Sequence, residues 1–229
     1  YVTVSGNPNM MRLLLIGLSM LAYTGSLRSY PLIKSGNVVN IDVFGASRCI
    51  HTSTFMHEQL LPTYRLFGSR LRIQYHPFGV TKYTKCEWEG RHVECFCQHG
   101  PSECLKNALQ ACVISYLPEQ DDHLELINCI QGGAAFNDSV NACLTEKTLK
   151  SRTTADEVAR CARSDVGRSL MAHHGWIQNR KAPEVPWVLI NATREKEAEH
   201  SLQRVLCKRY FKPPPPECAG IGPTSSEQL

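Results

Sequence analysis

Val38-Val39-Asn40-Ile41-Asp42-Val43-Phe44-Gly45-Ala46-Ser47-Arg48-Cys49-Ile50-His51-Thr52 passes from a strand pattern into the start of a helix, with a cysteine at the junction. Residues 38–44 read as a strand, and a helix is predicted from near Thr52, carrying Met56, Leu60, Tyr64 and Phe67 at helical spacing. Gly68 is placed to end that helix, and Leu71-Arg72-Ile73-Gln74-Tyr75 then alternates with period two, as a second strand does. From the first strand to the second is about the length of a βαβ unit, so a parallel pair is expected.

The chain has eleven cysteines in 229 residues. Ten can close five disulfides, leaving one thiol over. Cys49 is the odd one out on this reading. It sits where unpaired backbone N–H groups and the helix dipole favour an anion, so its thiol is biased toward the nucleophilic thiolate. The bland alternative is a buried thiol at a strand end.

Outward from this unit, Lys85-Cys86-Glu87-Trp88-Glu89-Gly90-Arg91-His92-Val93-Glu94-Cys95 reads as a hairpin. Glycine stands first in its two-residue turn, as a type II′ turn requires. The resulting register sets Cys86 opposite Cys95 in a non-hydrogen-bonded pair, close enough for a cross-strand disulfide. It also sets Glu87 opposite Glu94, which counts mildly against it. Leu105, Ala108, Leu109, Cys112, Val113, Tyr116 and Leu117 then mark an amphipathic helix that Ser102 is placed to cap. Shorter helical patterns follow at 122–130, 138–149 and 155–174. The strand pattern resumes after Val185-Pro186 with Trp187-Val188-Leu189-Ile190, and a last helix carries Ala198, Leu202, Val205 and Leu206.

These patterns divide the chain at 36–79, first half of an α/β core; 80–175, a disulfide-rich helical insertion; 176–211, second half of the core; and 212–229, a proline-rich C-terminal tail. Residues 1–10 precede Met11 and read as a non-native leader. Residues 11–25 read as a signal peptide, with Arg12 before the short apolar run Leu13 to Ala22 and small residues following. That run is too short for a membrane span, which needs about 20 residues. The remaining chain is expected in the secretory pathway, luminal or extracellular, where disulfides persist. The sequons at Asn137 and Asn191 fit a glycoprotein. Net charge is +4 with both signs interspersed, so there is no footprint for nucleic acid. Cys95, Cys97, His99 and Cys104 match zinc ligands in type, but an oxidising compartment favours bridges, and no metal is expected. His173 and His174 have no acidic pattern beside them and read as a solvated helix face.

Cys97-Gln98-His99-Gly100-Pro101-Ser102-Glu103-Cys104-Leu105-Lys106-Asn107-Ala108-Leu109-Gln110-Ala111-Cys112 contains C-Q-H-G-x2-E-C-x2-N-x4-C. It resembles the signature of the gamma-interferon-inducible lysosomal thiol reductase family at every fixed position. The resemblance continues through Leu61-Pro62-Thr63-Tyr64, Cys161-Ala162 with Asp165, Val185-Pro186-Trp187-Val188, and the pair Cys207 and Cys218.

The resemblance implies a thioredoxin-like fold with a helical insertion, in a family that reduces protein disulfides at acidic pH with no bound cofactor, and so a lysosomal or extracellular place in the secretory pathway. The family's site is a C-x-x-C motif at the start of the first helix. Aligning Pro62 with the family's helix proline puts Cys49 at the nucleophile and Thr52 where a resolving cysteine would stand. The motif here is therefore Cys49-Ile50-His51-Thr52. Thr52 has no thiol to resolve a mixed disulfide, so turnover would need an external small thiol as reductant. The Thr52 hydroxyl is placed to hydrogen-bond the Cys49 thiolate, while His51 and Arg48 add positive charge. The resemblance also implies a cis Val185–Pro186 bond, with Pro186 shaping a groove beside Cys49 for disulfide-bonded protein substrates. Cys86–Cys95 follows from the hairpin register, and Cys207–Cys218 from the loop between those two cysteines. The connectivity of Cys97, Cys104, Cys112, Cys129, Cys143 and Cys161 stays open at this point, with fifteen possibilities.

Overall fold

The computed structural model describes residues 37–149, 152–179 and 182–221. The sequence readings at 1–10, at 11–25 and in the last eight residues of the tail lie outside them. Strand β1 (Val39–Gly45) leads through a four-residue loop into helix α1 (Ile50–Phe55), continued by a π turn at Met56–Leu60 and by α2 (Leu61–Phe67). The wide turn has a local cause. Pro62 has no N–H for the carbonyl of Glu58 and its ring crowds that carbonyl, so the helix opens by one residue just ahead of it. Gly68 ends the helix at φ +50°, a conformation that favours glycine.

Strand β2 (Leu71–Pro77) pairs with β1 in parallel, Val39 opposite Leu71 and Val43 opposite Tyr75. Strand β5 (Trp187–Ile190) pairs antiparallel with the other side of β1, and the two-residue β6 (Thr193–Arg194) completes the order β2-β1-β5-β6. β6 escaped the sequence reading because two residues carry no periodicity. The sheet and helix α8 (Ala198–Val205) pack in one core with α1, α2 and the insertion: Ile41, Val43, Ile73, Val188, Phe55, Leu60, Leu202 and Leu206 are all buried. Burial of each such side chain is worth about 1.5–3 kcal/mol. The fold is α/β, a thioredoxin-like core with a disulfide-rich helical insertion.

That insertion opens with the hairpin β3 (Lys85–Glu89) and β4 (His92–Phe96), in the register read from the turn, down to Glu87 opposite Glu94. Helices α3 (Pro101–Tyr116), α4 (Gln120–Ile130), α5 (Phe136–Cys143), α6 (Ala155–Arg163) and α7 (Asp165–Gln178) follow. The stretch read as one helix at 155–174 is two. Ser164 leaves helical geometry between them, and Gly167 lets the turn close, since a Cβ there would lie 2.4 Å from the Cys161 carbonyl. The start of α3 also differs from expectation. Gly100, at φ +79°, is the N-cap, and the Ser102 hydroxyl accepts a hydrogen bond from Arg48 instead.

The bridges are Cys86–Cys95, Cys97–Cys104, Cys112–Cys161, Cys129–Cys143 and Cys207–Cys218. Both pairs expected from the sequence are present, and the other three take one of the fifteen arrangements left open. Every cysteine of the zinc-like cluster is consumed in a bridge, and the described residues hold no metal-competent group of His, Cys, Asp and Glu. Cys207–Cys218 ties the 3₁₀ turn Pro216–Gly220 to the end of the last helix, so the tail is anchored as far as that turn. No helix among the described residues is long and apolar enough to cross a membrane.

Candidate active site

Cys49 is the free cysteine, only 8% exposed, and it forms the N-cap of α1. Its backbone N–H closes the loop on Ala46 O (3.2 Å), and its Sγ lies 3.7 Å from Val185 O. The Val185–Pro186 bond is cis, in agreement with the expectation. Ala46, Cys49, Val80 and Val185 form a small apolar cluster of their own around the sulfur. Three segments far apart in sequence thus meet at Cys49: the loop from β1 into α1, the loop after β2 and the entry to β5.

The neighbours named from sequence take different places. Ile50 and His51 are exposed, whereas Thr52 is fully buried. Its hydroxyl accepts from the Ala46 N–H (3.4 Å) rather than serving Cys49. The expected bond to the thiolate is replaced because Thr52 turns inward under Gly45, where the backbone offers a donor. Gly45 has to be glycine, since a Cβ would come within 2.6 Å of the Tyr75 hydroxyl and 2.7 Å of Thr52 Cγ2. Arg48 reaches across to Ser102 at the start of α3 (3.0 Å).

His51 and Pro186 share a groove of ≈ 380 Å³ beside Cys49, which Phe55, Lys196, Glu199 and His200 also line. Its rim mixes imidazoles, a lysine and carboxylates with apolar walls.

Sequence reasoning missed what holds the loop. The Asn107 amide is fully buried: its Oδ1 accepts from Ser47 N–H (2.8 Å) and its Nδ2 donates to Phe78 O (2.9 Å). Gln131 Nε2 donates to Ala46 O (2.7 Å), Gly132 N–H to Ser47 O (2.8 Å), and Ser47 Oγ to Glu103 O (3.2 Å). Lys106 is buried as well and donates to Gly132 O and Ala134 O; burial, then Arg48, pushes its pKa down to about 8. The Glu103 carboxylate, fully buried, is satisfied by the His99 backbone N–H and ring Nδ1. The fixed Glu and Asn of the signature therefore act inside the fold. One signal was available: asparagine is a poor helix former, so its place in mid-helix α3 calls for a hydrogen-bonding reason.

Tyr75 lies under the same loop. Burial first, then the charges of Cys49 and Glu103, raise its phenol well above the usual range, which keeps it a neutral O–H. His174 departs from its reading as a solvated residue. It packs on the buried His76, ring nitrogens 3.2 Å apart, because α7 crosses the end of the sheet where His76 stacks on Phe44. Burial, followed by His76 and His173, pushes the His174 pKa down to about 3. Asn191 and Asn137 are both exposed, Asn191 in the β5–β6 turn and Asn137 in the first turn of α5.

The model of the family "Gamma interferon inducible lysosomal thiol reductase (GILT)" matches residues 40–147. A GILT-like protein of Caenorhabditis briggsae is 39% identical over 191 residues, 81% of this chain and 86% of that protein. One of Caenorhabditis elegans is 40% identical over 189 residues, 80% of this chain and 85% of its own length. A protein of Mus musculus named gamma-interferon-inducible lysosomal thiol reductase is 24% identical over 80% of this chain and 73% of its own. Among solved structures, oxidised BdbD from Bacillus subtilis superposes with a TM-score of 0.51 at 10% identity, over 73% of this chain and 83% of that one, a likeness of fold alone.

Proposed function

The chain belongs to the gamma interferon inducible lysosomal thiol reductase family, and from that premise we propose that it is a thiol-disulfide oxidoreductase acting through the single nucleophile Cys49. One observation supports this most: the only unbridged thiol caps the first helix of a thioredoxin-like core, beside the cis Val185–Pro186 bond and the groove that His51 and Pro186 line. The Cys49 thiolate attacks one sulfur of a substrate disulfide, forming a mixed disulfide and expelling the other sulfur as thiolate. Thr52 provides no internal thiol, so a small external thiol attacks the mixed disulfide in turn. With two such thiols consumed, the substrate leaves as two thiols and the reductant as its own disulfide, with Cys49 regenerated. His51, exposed two residues after Cys49, lines the groove that would receive the substrate. The site of action we propose is the secretory pathway, lysosomal or extracellular, on disulfide-bonded proteins, with Asn137 and Asn191 as glycosylation sites.

A second reading, a turnover-deficient secreted binding protein of the same family, is favoured by the buried Thr52 at the position of the second cysteine. Turnover of a protein disulfide with excess small thiol, near pH 5 and near pH 7, separates the two. Activity that disappears in Cys49→Ser supports the reductase; equal inactivity of both proteins selects the binding reading.

A further inference from the structure

The core that carries the Cys49 loop bonds it at the Ala46 N–H, through Thr52, and at the sulfur, through Val185 O. Three further backbone groups of the loop are held from the insertion: Ser47 N–H by Asn107, Ser47 O by Gly132, Ala46 O by Gln131. Asn107 does more than bind this loop. Its other amide atom holds Phe78 O in the loop after β2, whose Val80 packs on Cys49. One buried side chain thereby joins the two segments that flank the sulfur.

We propose that Asn107 is a positioning residue for Cys49, setting the sulfur against Val185 O from about sixty residues away in sequence, and that Gln131 serves the same loop from α4. Replacement of either amide removes bonds made only in the closed arrangement, and a buried partner left unsatisfied disfavours that arrangement further. The charged or titratable groups around the sulfur are Arg48 on the loop, His51 on α1, Tyr75 on β2, Glu103 and Lys106 on α3, Glu184 ahead of Val185, and Lys196, Glu199 and His200 in the groove; these substitutions leave them all in place.

The test uses the full chain with its five disulfides intact. Cys49 is alkylated with iodoacetamide under native conditions from pH 5 to 9, and exchange with a peptide disulfide is followed in parallel, both per folded molecule. Asn107→Ala is expected to raise the alkylation rate about fivefold, because a sulfur 8% exposed reacts through local opening of its loop. Exchange should fall in the same protein, since a sulfur released from its place is reached by a small reagent but misplaced for a disulfide. Val158→Ala, a buried truncation on α6, loses stability without touching this loop and should leave the alkylation profile unchanged. An Asn107→Ala profile equal to wild type, or an equal rise in Val158→Ala, overturns the proposal. Should Asn107→Ala fail to fold, Gln131→Met decides on the same criterion. The exchange arm alone rests on the proposed function. If no protein, wild type included, exchanges disulfide while Asn107→Ala still alkylates faster, the reductase reading falls and the positioning role stands.

Discussion

The βαβ unit and the insertion use cysteine in opposite ways. Residues 80–175 hold eight cysteines, all bridged in four pairs, whereas the βαβ unit holds one, unbridged and set among Ala46, Val80 and Val185. The stapled region carries no free thiol of its own, and the region with the thiol has no staple. Hydrogen bonds from Asn107, Gln131 and Gly132 of the insertion to Ser47 and Ala46 connect the two. An inserted domain of this kind is part of the site's construction even though none of its side chains bonds the sulfur.

The contrast breaks most completely if another sulfur can replace Cys49. In single turnover the wild-type protein should accumulate as a mixed disulfide that only added cysteine or glutathione releases, and Cys49→Ser should form no adduct at all. Thr52→Cys should restore internal resolution and speed release. Mass spectrometry of the trapped species checks all three. An adduct on any of the ten bridged cysteines would erase the distinction between the two regions.

Next in size is the staple that closes the longest loop. Cys112–Cys161 spans 49 residues and joins α3 to α6, against nine for Cys86–Cys95. The chain-entropy relation gives about 4 kcal/mol for the first and about 2.5 kcal/mol for the second. Denaturant unfolding of the two double-alanine variants should therefore rank them in that order. If rigidity passes from α3 to the Cys49 loop, the Cys112→Ala/Cys161→Ala protein should also alkylate faster at Cys49 while still folded.

Those two features differ in how far they could be read before the fold was known. The hairpin register, and with it Cys86–Cys95, follows from two residues at a turn, and the parallel β1–β2 pair follows from alternation and helix length. Both are local patterns with a fixed period. The Asn107–Ser47 bond joins residues 60 apart and His76–His174 residues 98 apart, each a single side chain on an otherwise ordinary helix. No periodicity records such contacts. Cys49 was legible by cysteine counting, but the inward turn of Thr52 was not, since it depends on the glycine above it and the tyrosine beyond.

The histidine contact between the regions makes a smaller, pH-dependent contribution. His174 titrates near 3 in the folded chain and near the ordinary value of about 6.5 once unfolded. Between those values the unfolded chain binds the extra proton, so stability rises with pH there and is lost as pH falls below about 6.5. At pH 5 the cost is about 2 kcal/mol, and it vanishes above neutrality. His174→Asn should flatten wild-type stability between pH 7 and pH 5. A variant that steepens it instead would mean that the His76 pair, with Asp42 3.6 Å from His76, welcomes the proton and that acid tightens the junction.

The smallest effect is expected on the far side of the insertion, where a carboxylate ties the hairpin to α7. Asp165 accepts from the Val93 N–H (3.1 Å) and from Arg168, with His92 3.0 Å away. Arg168 first, then the Val93 N–H and His92, hold its pKa down to about 2. A carboxylate depressed in this way stabilises the fold at every pH above its unfolded value of about 3.9, and the contribution is lost only as pH falls toward 2. The tie is therefore intact in any acidic lumen. Because the Asp165 side chain is 42% exposed, solvent screens its ion pairs and the effect should be local rather than global. Asp165→Ala should speed hydrogen exchange at the Val93 amide and leave both the melting temperature and the Cys49 alkylation rate near wild type. If Cys49 responds to this change, rigidity spreads through the whole insertion, and the few bonds around Asn107 are not the connection that matters.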